Sequence, residues 1–391
     1  MENTLKSPKL NNTSKLVSVS IGHFFNDFYM TLIPPILFIF AAKLSLSMMQ
    51  QASIAAVISF SGSFGQPLVG LLIDKKGKPF LLILSVLWIS IFMSIACLVS
   101  SYSTLLIIVA LGSIASAIYH PLGSAMALSL SDGSRGKNLS IFMTIGGFAA
   151  SLSPIIAIPI AQKYGLDKLS LLMIPGIITA IIMYFTKVHK TELLKENRKN
   201  NISSKSNKNK PLWLAALVSI STTRNIISKV LISFGIQILL LKRLSLNTAS
   251  TVLFVYLLSI SIGTILGGYL SEKFSCKRVF LISNIILLLS LTSIIFLNEN
   301  FTIIAFIFAA LSFSASHTPN VIIAQEIIPC KSNFATGLIL GLSGGLAGIF
   351  LILFGKIADG NGLINALMYL IIPLIIINIF TIILPDMRRK C

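Results

Sequence analysis

Twelve runs of predominantly apolar residues dominate this chain, and their length leaves few folds open. They fall at 16–40, 51–73, 79–99, 104–130, 138–161, 169–187, 211–240, 248–270, 279–297, 302–327, 334–356 and 363–384. Crossing the hydrocarbon of a bilayer takes roughly 20 such residues in a helix. Across 391 residues the chain is 55% hydrophobic and 11% charged, with a mean hydropathy of +0.90. Ordinary water-soluble domains do not have that composition. In lipid, backbone N–H and C=O groups have to be satisfied without water, so the runs are read as helices, here spans 1 to 12. The expected fold class is an all-α membrane protein with twelve transmembrane helices.

A formal net charge of +19 invites a nucleic-acid reading, so the positions of the cations decide more than their number. With the amino terminus in the cytoplasm, the inside segments hold 23 of the 31 Lys and Arg. Six lie outside (Lys43, Lys163, Lys168, Lys242, Arg243 and Lys356), and Arg224 and Lys229 fall within span 7. That is the bias that orients helices during insertion, and it makes nucleic acid an unnecessary partner. Both termini are then expected in the cytoplasm. The first fifteen residues are polar without a small-residue cleavage site, so span 1 is expected to stay rather than act as a removable signal. Cys97, Cys276, Cys330 and Cys391 fall at unrelated spacings that imply no disulfide, metal or cofactor.

A single offset of 198 residues carries the first half of the chain onto the second. Gly70 falls on Gly268, Asp74 on Glu272, Lys75 on Lys273, Pro121 on Pro319, Gly146-Gly147 on Gly344-Gly345 and Pro175 on Pro373. Duplication of a six-helix unit accounts for this, giving two pseudo-symmetric six-helix bundles at 1–186 and 211–391. Residues 187–210 carry eight Lys or Arg against two Glu and are rich in Asn and Ser. They read as a basic cytoplasmic linker, attractive to anionic lipid headgroups. Parallel repeats of this kind put the substrate site between the halves near the bilayer midplane.

Ionisable groups inside a span are costly and usually face a watery cavity or one another, so they map function. Span 1 holds His23, Asn26 and Asp27; span 4 holds His120; span 7 holds Arg224, Asn225 and Lys229; span 10 holds His317 and Asn320. The polar positions recur every third span, as a cavity lined by the first member of each three-helix repeat requires. At about 1.5 Å of rise per residue, Asp27 lies about 17 Å beyond Leu16 and Arg224 about 20 Å beyond Pro211. These depths allow the two to meet across a central cavity. Asp27 is expected to be the proton-coupling carboxylate, making and breaking a pair with Arg224; the alternative is a permanent ion pair fixing span 1 to span 7. His120 beside Pro121 contacts substrate, relays protons or caps a freed carbonyl. His23, one turn from Asp27, tunes it or pairs with it. Lys229 attracts an anionic substrate or snorkels to the interface. Phe28 and Tyr29 of span 1, Tyr119 and Ser124 of span 4, and His317 and Asn320 complete the candidate cavity, which suits an amphipathic organic ligand.

Between spans 2 and 3, Gly70-Leu71-Leu72-Ile73-Asp74-Lys75-Lys76-Gly77-Lys78 resembles the major facilitator signature Gly-x-Leu-x-Asp-Arg/Lys-x-Gly-Arg/Lys. The resemblance implies the major facilitator fold and a cytoplasmic gate built on Gly70, Asp74, Lys75, Gly77 and Lys78, with Glu272 and Lys273 as the second copy. Within that superfamily, Gly22-His23-Phe24-Phe25-Asn26-Asp27-Phe28-Tyr29 and Ser116-Ala117-Ile118-Tyr119-His120-Pro121-Leu122-Gly123-Ser124 are similar to the fosmidomycin-resistance group of bacterial efflux proteins. Gly146-Gly147 before Ser153-Pro154 resembles part of a glycine-rich antiporter motif. The resemblance implies proton-coupled export of a small organic or drug-like compound from the bacterial inner membrane by a functional monomer. Proton-coupled uptake and metabolite or siderophore export use the same fold, and a non-transporting receptor is disfavoured. No phosphate-cradling loop, zinc-ligand cluster or nucleophile constellation supports an enzyme. The longest soluble stretch is too short for a nucleotide-binding domain, so an ion gradient, protons before sodium, is the expected energy source.

Overall fold

The computed structural model describes residues 8–63, 65–66, 78–130, 135–193, 210–328, 335 and 338–384. Among these, eleven helices are long and apolar enough to cross a membrane. Span 2, Met48–Ser63, is a further helix; beyond it, 64 and 67–73 of its expected run lie outside the described residues, as do 194–209 of the basic linker. Large apolar side chains such as Phe185, Ile265, Ile282 and Phe296 are exposed on the outer surface. That is the surface a bilayer solvates and water does not.

Helix breaks follow the prolines. Span 1 runs Pro8–Met30, tightens into a 3-10 turn at Pro34–Ile36, and resumes as Leu37–Leu44. Pro35 has no N–H to offer the Thr31 carbonyl. The Ser153 hydroxyl of span 5 donates to that carbonyl instead, at 2.6 Å, the kind of replacement that lets a broken helix persist in lipid. Span 10 divides into Glu299–Ala315 and His317–Ile327 for the same reason, because Pro319 cannot bond to Ala315. Span 4, Tyr102–Ser129, carries Pro121 without a break. Span 5 is Arg135–Tyr164, and span 6 opens with a 3-10 segment, Leu166–Leu172, before Met173–Phe185.

Packing repeats with the sequence. Spans 2 and 4 pack as 8 and 10 do, 3 and 4 as 9 and 10, 1 and 5 as 7 and 11, and 3 and 6 as 9 and 12. The halves meet through span 2 against span 11 and span 5 against span 8, a pair of contacts that the repeat exchanges. Small residues allow the approach. A Cβ on Gly355 of span 11 (Ser343–Asn361) would lie 2.7 Å from the Ala52 Cβ and 2.7 Å from the Met48 carbonyl oxygen of span 2. Membrane helices associate through such small-residue faces because lipid offers no hydrophobic drive.

One end of the bundle is bridged across the halves. The Met48 and Met49 backbone N–H groups donate to the Asp359 carboxylate at 2.6 and 3.0 Å, placing an acid against the positive end of span 2. Gln237 of span 7 (Lys210–Leu241) donates to Gln51 at 2.6 Å, and deeper in, Lys229 donates to the Ser59 hydroxyl. A Gln51→Cys, Gln237→Cys pair, in a background lacking the native cysteines, should therefore join the halves efficiently under a short bis-thiol reagent. Cleavage in the linker followed by gel electrophoresis reads the joined product.

Candidate functional site

Helical spacing puts His23 and Asp27 on one face of span 1, and His23 Nε2 lies 3.3 Å from Asp27 Oδ2. Span 4 brings His120, whose Nε2 is 3.4 Å from Asp27 Oδ1. Asn26 Nδ2 donates to Asp27 Oδ1 at 2.9 Å and to the Ser116 hydroxyl at 3.1 Å. The His23 side chain is 1% exposed, whereas Asp27 and His120 keep 19% and 29% of their surface accessible. The cluster is thus closed on the His23 side and open on the His120 side.

His23 is held in one orientation. Its ring stacks on Phe142 of span 5 at 4.1 Å and lies nearly parallel to Tyr119 at 6.1 Å. Nδ1 is 2.7 Å from the Phe142 carbonyl oxygen; a carbonyl only accepts, so Nδ1 carries a proton and donates. In a neutral ring Nε2 then presents a lone pair to the Asp27 carboxylate, acceptor against acceptor. The contact becomes attractive when a proton lies on either atom. One donor atom from each of His23, Asp27 and His120 lies within 4.8 Å of the others, a space for a shared proton or one small cation.

Span 5 closes on this cluster through Gly146. A Cβ there would overlap Asp27 Oδ2 and His23 Cε1, and one on the adjacent Gly147 would overlap the Ser261 hydroxyl of span 8 (Leu246–Lys273). Two neighbouring residues therefore touch the carboxylate cluster and the opposite half. The Phe142 carbonyl, Ser116 and the fit of Gly146 escape sequence reasoning. Gly146-Gly147, conspicuous in the repeat, is the one legible signal.

The expected Asp27–Arg224 pair is not formed. Arg224 is 2% exposed and donates to the Asn284 side chain of span 9 (Cys276–Phe296). It also donates to the Ser312 and Phe313 carbonyls, at 2.5 and 3.1 Å. These carbonyls belong to the last turn of Glu299–Ala315, whose carbonyls lack the full set of intrahelical N–H partners and carry the negative end of the helix dipole; the Phe313 carbonyl also accepts from the Ser316 hydroxyl at 3.0 Å. Arg224 thus caps the helix that Pro319 interrupts. Depth along the membrane places a residue in height but not in direction around its helix, and Arg224 faces spans 9 and 10.

The other candidates distribute between packing and cavity. Phe28, Tyr29 and Tyr119 are buried; the Tyr29 hydroxyl donates to the Leu172 carbonyl at 2.5 Å and the Tyr119 hydroxyl to the Val19 carbonyl at 2.6 Å. Ser124 is half-buried one turn beyond His120. Asn225 donates to Ser343 at 3.0 Å, Asn320 donates to Ser221, and the half-buried His317 lies edge-on to Phe313 at 5.9 Å. Among the described residues, the ion pairs are His23–Asp27, His120–Asp27 and Lys168–Asp167, so neither Arg224 nor Lys229 has a carboxylate partner. Lys78, Glu272 and Lys273 are exposed. Gly70, Asp74, Lys75 and Gly77 of the gating motif lie outside the described residues.

Two packed six-helix bundles, one enclosing an acid–imidazole cluster and the other holding the buried Arg224 and the half-buried Lys229, have the architecture of a secondary membrane transporter. The family model of the Major Facilitator Superfamily matches residues 19–241 and 218–390, and the chain belongs to that family. It is accordingly a multi-pass transporter of a small molecule and not an enzyme. It is 27% identical over 388 residues to the fosmidomycin resistance protein of Escherichia coli (strain K12), covering 96% of this chain and 93% of that protein. It is 26% identical over 409 residues to the uncharacterized MFS-type transporter YfnC of Bacillus subtilis (strain 168), covering 99% and 97%. The fold is similar to that of an inward-facing, occupied bacterial homolog of the human lysosomal transporter Spinster (TM-score 0.75, 17% identity, 94% of this chain and 95% of that one). It is also similar to the nucleoside transporter NupG (TM-score 0.74, 12% identity, 98% and 100%).

Two substitutions test this geometry. Gly146→Ala should force Asp27 or His23 off its rotamer at a cost of about 1–3 kcal/mol, lowering the thermal-unfolding midpoint and transport together. Asn284→Leu should cost about 1–3 kcal/mol by leaving a buried donor unsatisfied. The double variant Asn284→Leu, Arg224→Met should recover part of that stability, because it removes the buried charge as well.

Proposed function

We propose that this transporter exports a small organic, amphipathic or anionic compound from the bacterial cytoplasm across the inner membrane in exchange for protons. The observation that carries the proposal is the acceptor-against-acceptor contact of His23 and Asp27, which a single dissociable proton converts from repulsive to attractive. His120, more exposed, is the proton's route to water. Acid–base groups enclosed within a membrane bundle are a recurrent basis of proton relays, and the Escherichia coli relative is named for resistance to a drug, which export of a drug-like compound would confer.

In this reading substrate and proton compete through conformation. A proton on the cluster neutralises Asp27 and relaxes its grip on span 4. Span 5, which touches both the cluster and span 8, passes that change to the opposite half. Arg224 enters as a fixed cation of the second half rather than a permanent partner of Asp27. Lys229, one turn beyond Asn225 on span 7, offers charge to an anionic substrate. In this reading the Asp359 end is the closed one, and substrate enters from the opposite end, which the positive-inside bias assigns to the cytoplasm. Asp74, Lys75, Glu272 and Lys273 close that end in the opposite state, and one chain suffices for the cycle.

Proteoliposomes with an imposed gradient and a pH-sensitive dye test the assignment, with phosphonates, organic acids and amphipathic drugs as candidate substrates. At least one compound should drive proton movement in the opposite direction, and Asp27→Asn should abolish it. Full proton movement in Asp27→Asn contradicts the assignment. Co-directional movement of substrate and proton favours uptake instead.

A further inference from the structure

Spans 8, 9 and 10 enclose a groove of about 450 Å³, within the size range of small-molecule sites. Its walls are almost wholly apolar: Leu266 and Phe274 from span 8 and its end, Ile282 from span 9 and Phe308 from span 10, with Ser312 at its depth. Leu266, Phe274, Ile282 and Phe308 are all substantially exposed, so the groove opens on the surface that the bilayer covers. Arg278 stands at its mouth, exposed, three residues into span 9.

The mouth is electropositive. The turn from span 8 to span 9 holds Lys273, Lys277 and Arg278 against a single acid, Glu272. Lys277 is fastened to the end of span 12 by donating to the Ile382 and Leu384 carbonyls at 2.6 and 2.8 Å. Lys273 projects over the Phe274 ring. Arg278 has no carboxylate partner among the described residues. This turn lies at the same end of the bundle as the basic stretch that follows span 6. An apolar cleft between spanning helices with guanidinium at the headgroup level is matched by one class of molecule, a membrane lipid with a negative headgroup. Arginine's fork of donors suits a phosphate.

We infer that the groove holds an anionic diacyl phospholipid of that leaflet, one acyl chain along spans 8 to 10 and its phosphate on Arg278. The site adjoins the joint on which the second half depends. Ser312 lines the groove and its carbonyl accepts from Arg224. Ser283 lines it too, and the next residue, Asn284, accepts from the same guanidinium. An acyl chain in the groove braces the interrupted span 10 against span 9, making the lipid a structural ligand of the Arg224 cap.

The test measures binding alone, so its outcome is independent of the proton assignment. Detergent-purified wild type, Arg278→Gln and Ile282→Trp are mixed with phosphatidylglycerol or phosphatidylcholine, and retained lipid is counted by native mass spectrometry alongside thermal unfolding. Wild type should prefer phosphatidylglycerol by about tenfold, equivalent to about 1.4 kcal/mol at the headgroup, and unfold at a higher temperature with it. Arg278→Gln, altered at an exposed side chain, should stay folded and lose the preference. Ile282→Trp should retain less of either lipid, because its ring fills the groove. Equal retention of the two lipids by wild type, or an undiminished preference in Arg278→Gln, overturns the proposal. So does a wild type that sheds both phospholipids yet holds dodecyl sulfate in an Arg278-dependent manner.

Discussion

Asp27 faces two imidazoles within a spanning helix and keeps only part of its surface accessible, and the arrangement of the first half follows from keeping that carboxylate tolerable. An ionised side chain at the centre of a spanning helix costs a contested ~2.5–3.5 kcal/mol or more. His23 and His120 approach it at 3.3 and 3.4 Å, and Asn26 donates to it. The Phe142 carbonyl sets the orientation of His23, and Gly146 gives span 5 the room to lie against the cluster. Even the proline break of span 1 is repaired by the same neighbour, through Ser153. Spans 1, 4 and 5 thus form one polar assembly.

The second half solves the same solvation problem with the opposite charge and a different device. Arg224 is compensated by a side-chain amide and the carboxyl end of an interrupted helix, without any acid. That arrangement is internal to the half and can travel with it as a rigid unit. Between the halves the contacts are of another kind: small residues and a few hydrogen bonds, with the Asp359 carboxylate on the start of span 2. Surfaces of that sort separate at modest cost, whereas the buried clusters do not. Strong interactions within each bundle and weak ones between bundles are what alternating access needs.

The fold was legible because hydrophobic run length and a constant 198-residue offset are properties of the sequence itself. Twelve runs placed the helices, and the offset anticipated that contacts such as 2 with 4 and 8 with 10 come in pairs. The site was legible in part. His23 and Asp27 are one turn apart, so their meeting follows from helix geometry, and His120 was recognisable as an ionisable group beside a proline. The Asp27–Arg224 pair failed because matching depths says nothing about azimuth. The real partners of Arg224 include two backbone carbonyls, which have no residue-type signature. Asn284 of span 9 drew no expectation from the sequence, and only packing reveals that it faces span 7. The Phe142 carbonyl likewise belongs to a residue whose side chain reads as ordinary membrane packing.

The central claim is that a proton resides on the His23–Asp27–His120 cluster and leaves it as substrate binds. Infrared difference spectroscopy on the protein in lipid, recorded on adding a transported compound, reads that proton directly through the carboxylic acid carbonyl stretch. The account predicts a substrate-dependent loss of such a band, or of the imidazolium bands of His23, that disappears in Asp27→Asn. A difference spectrum unchanged by that substitution would place the coupling proton elsewhere and contradict the account.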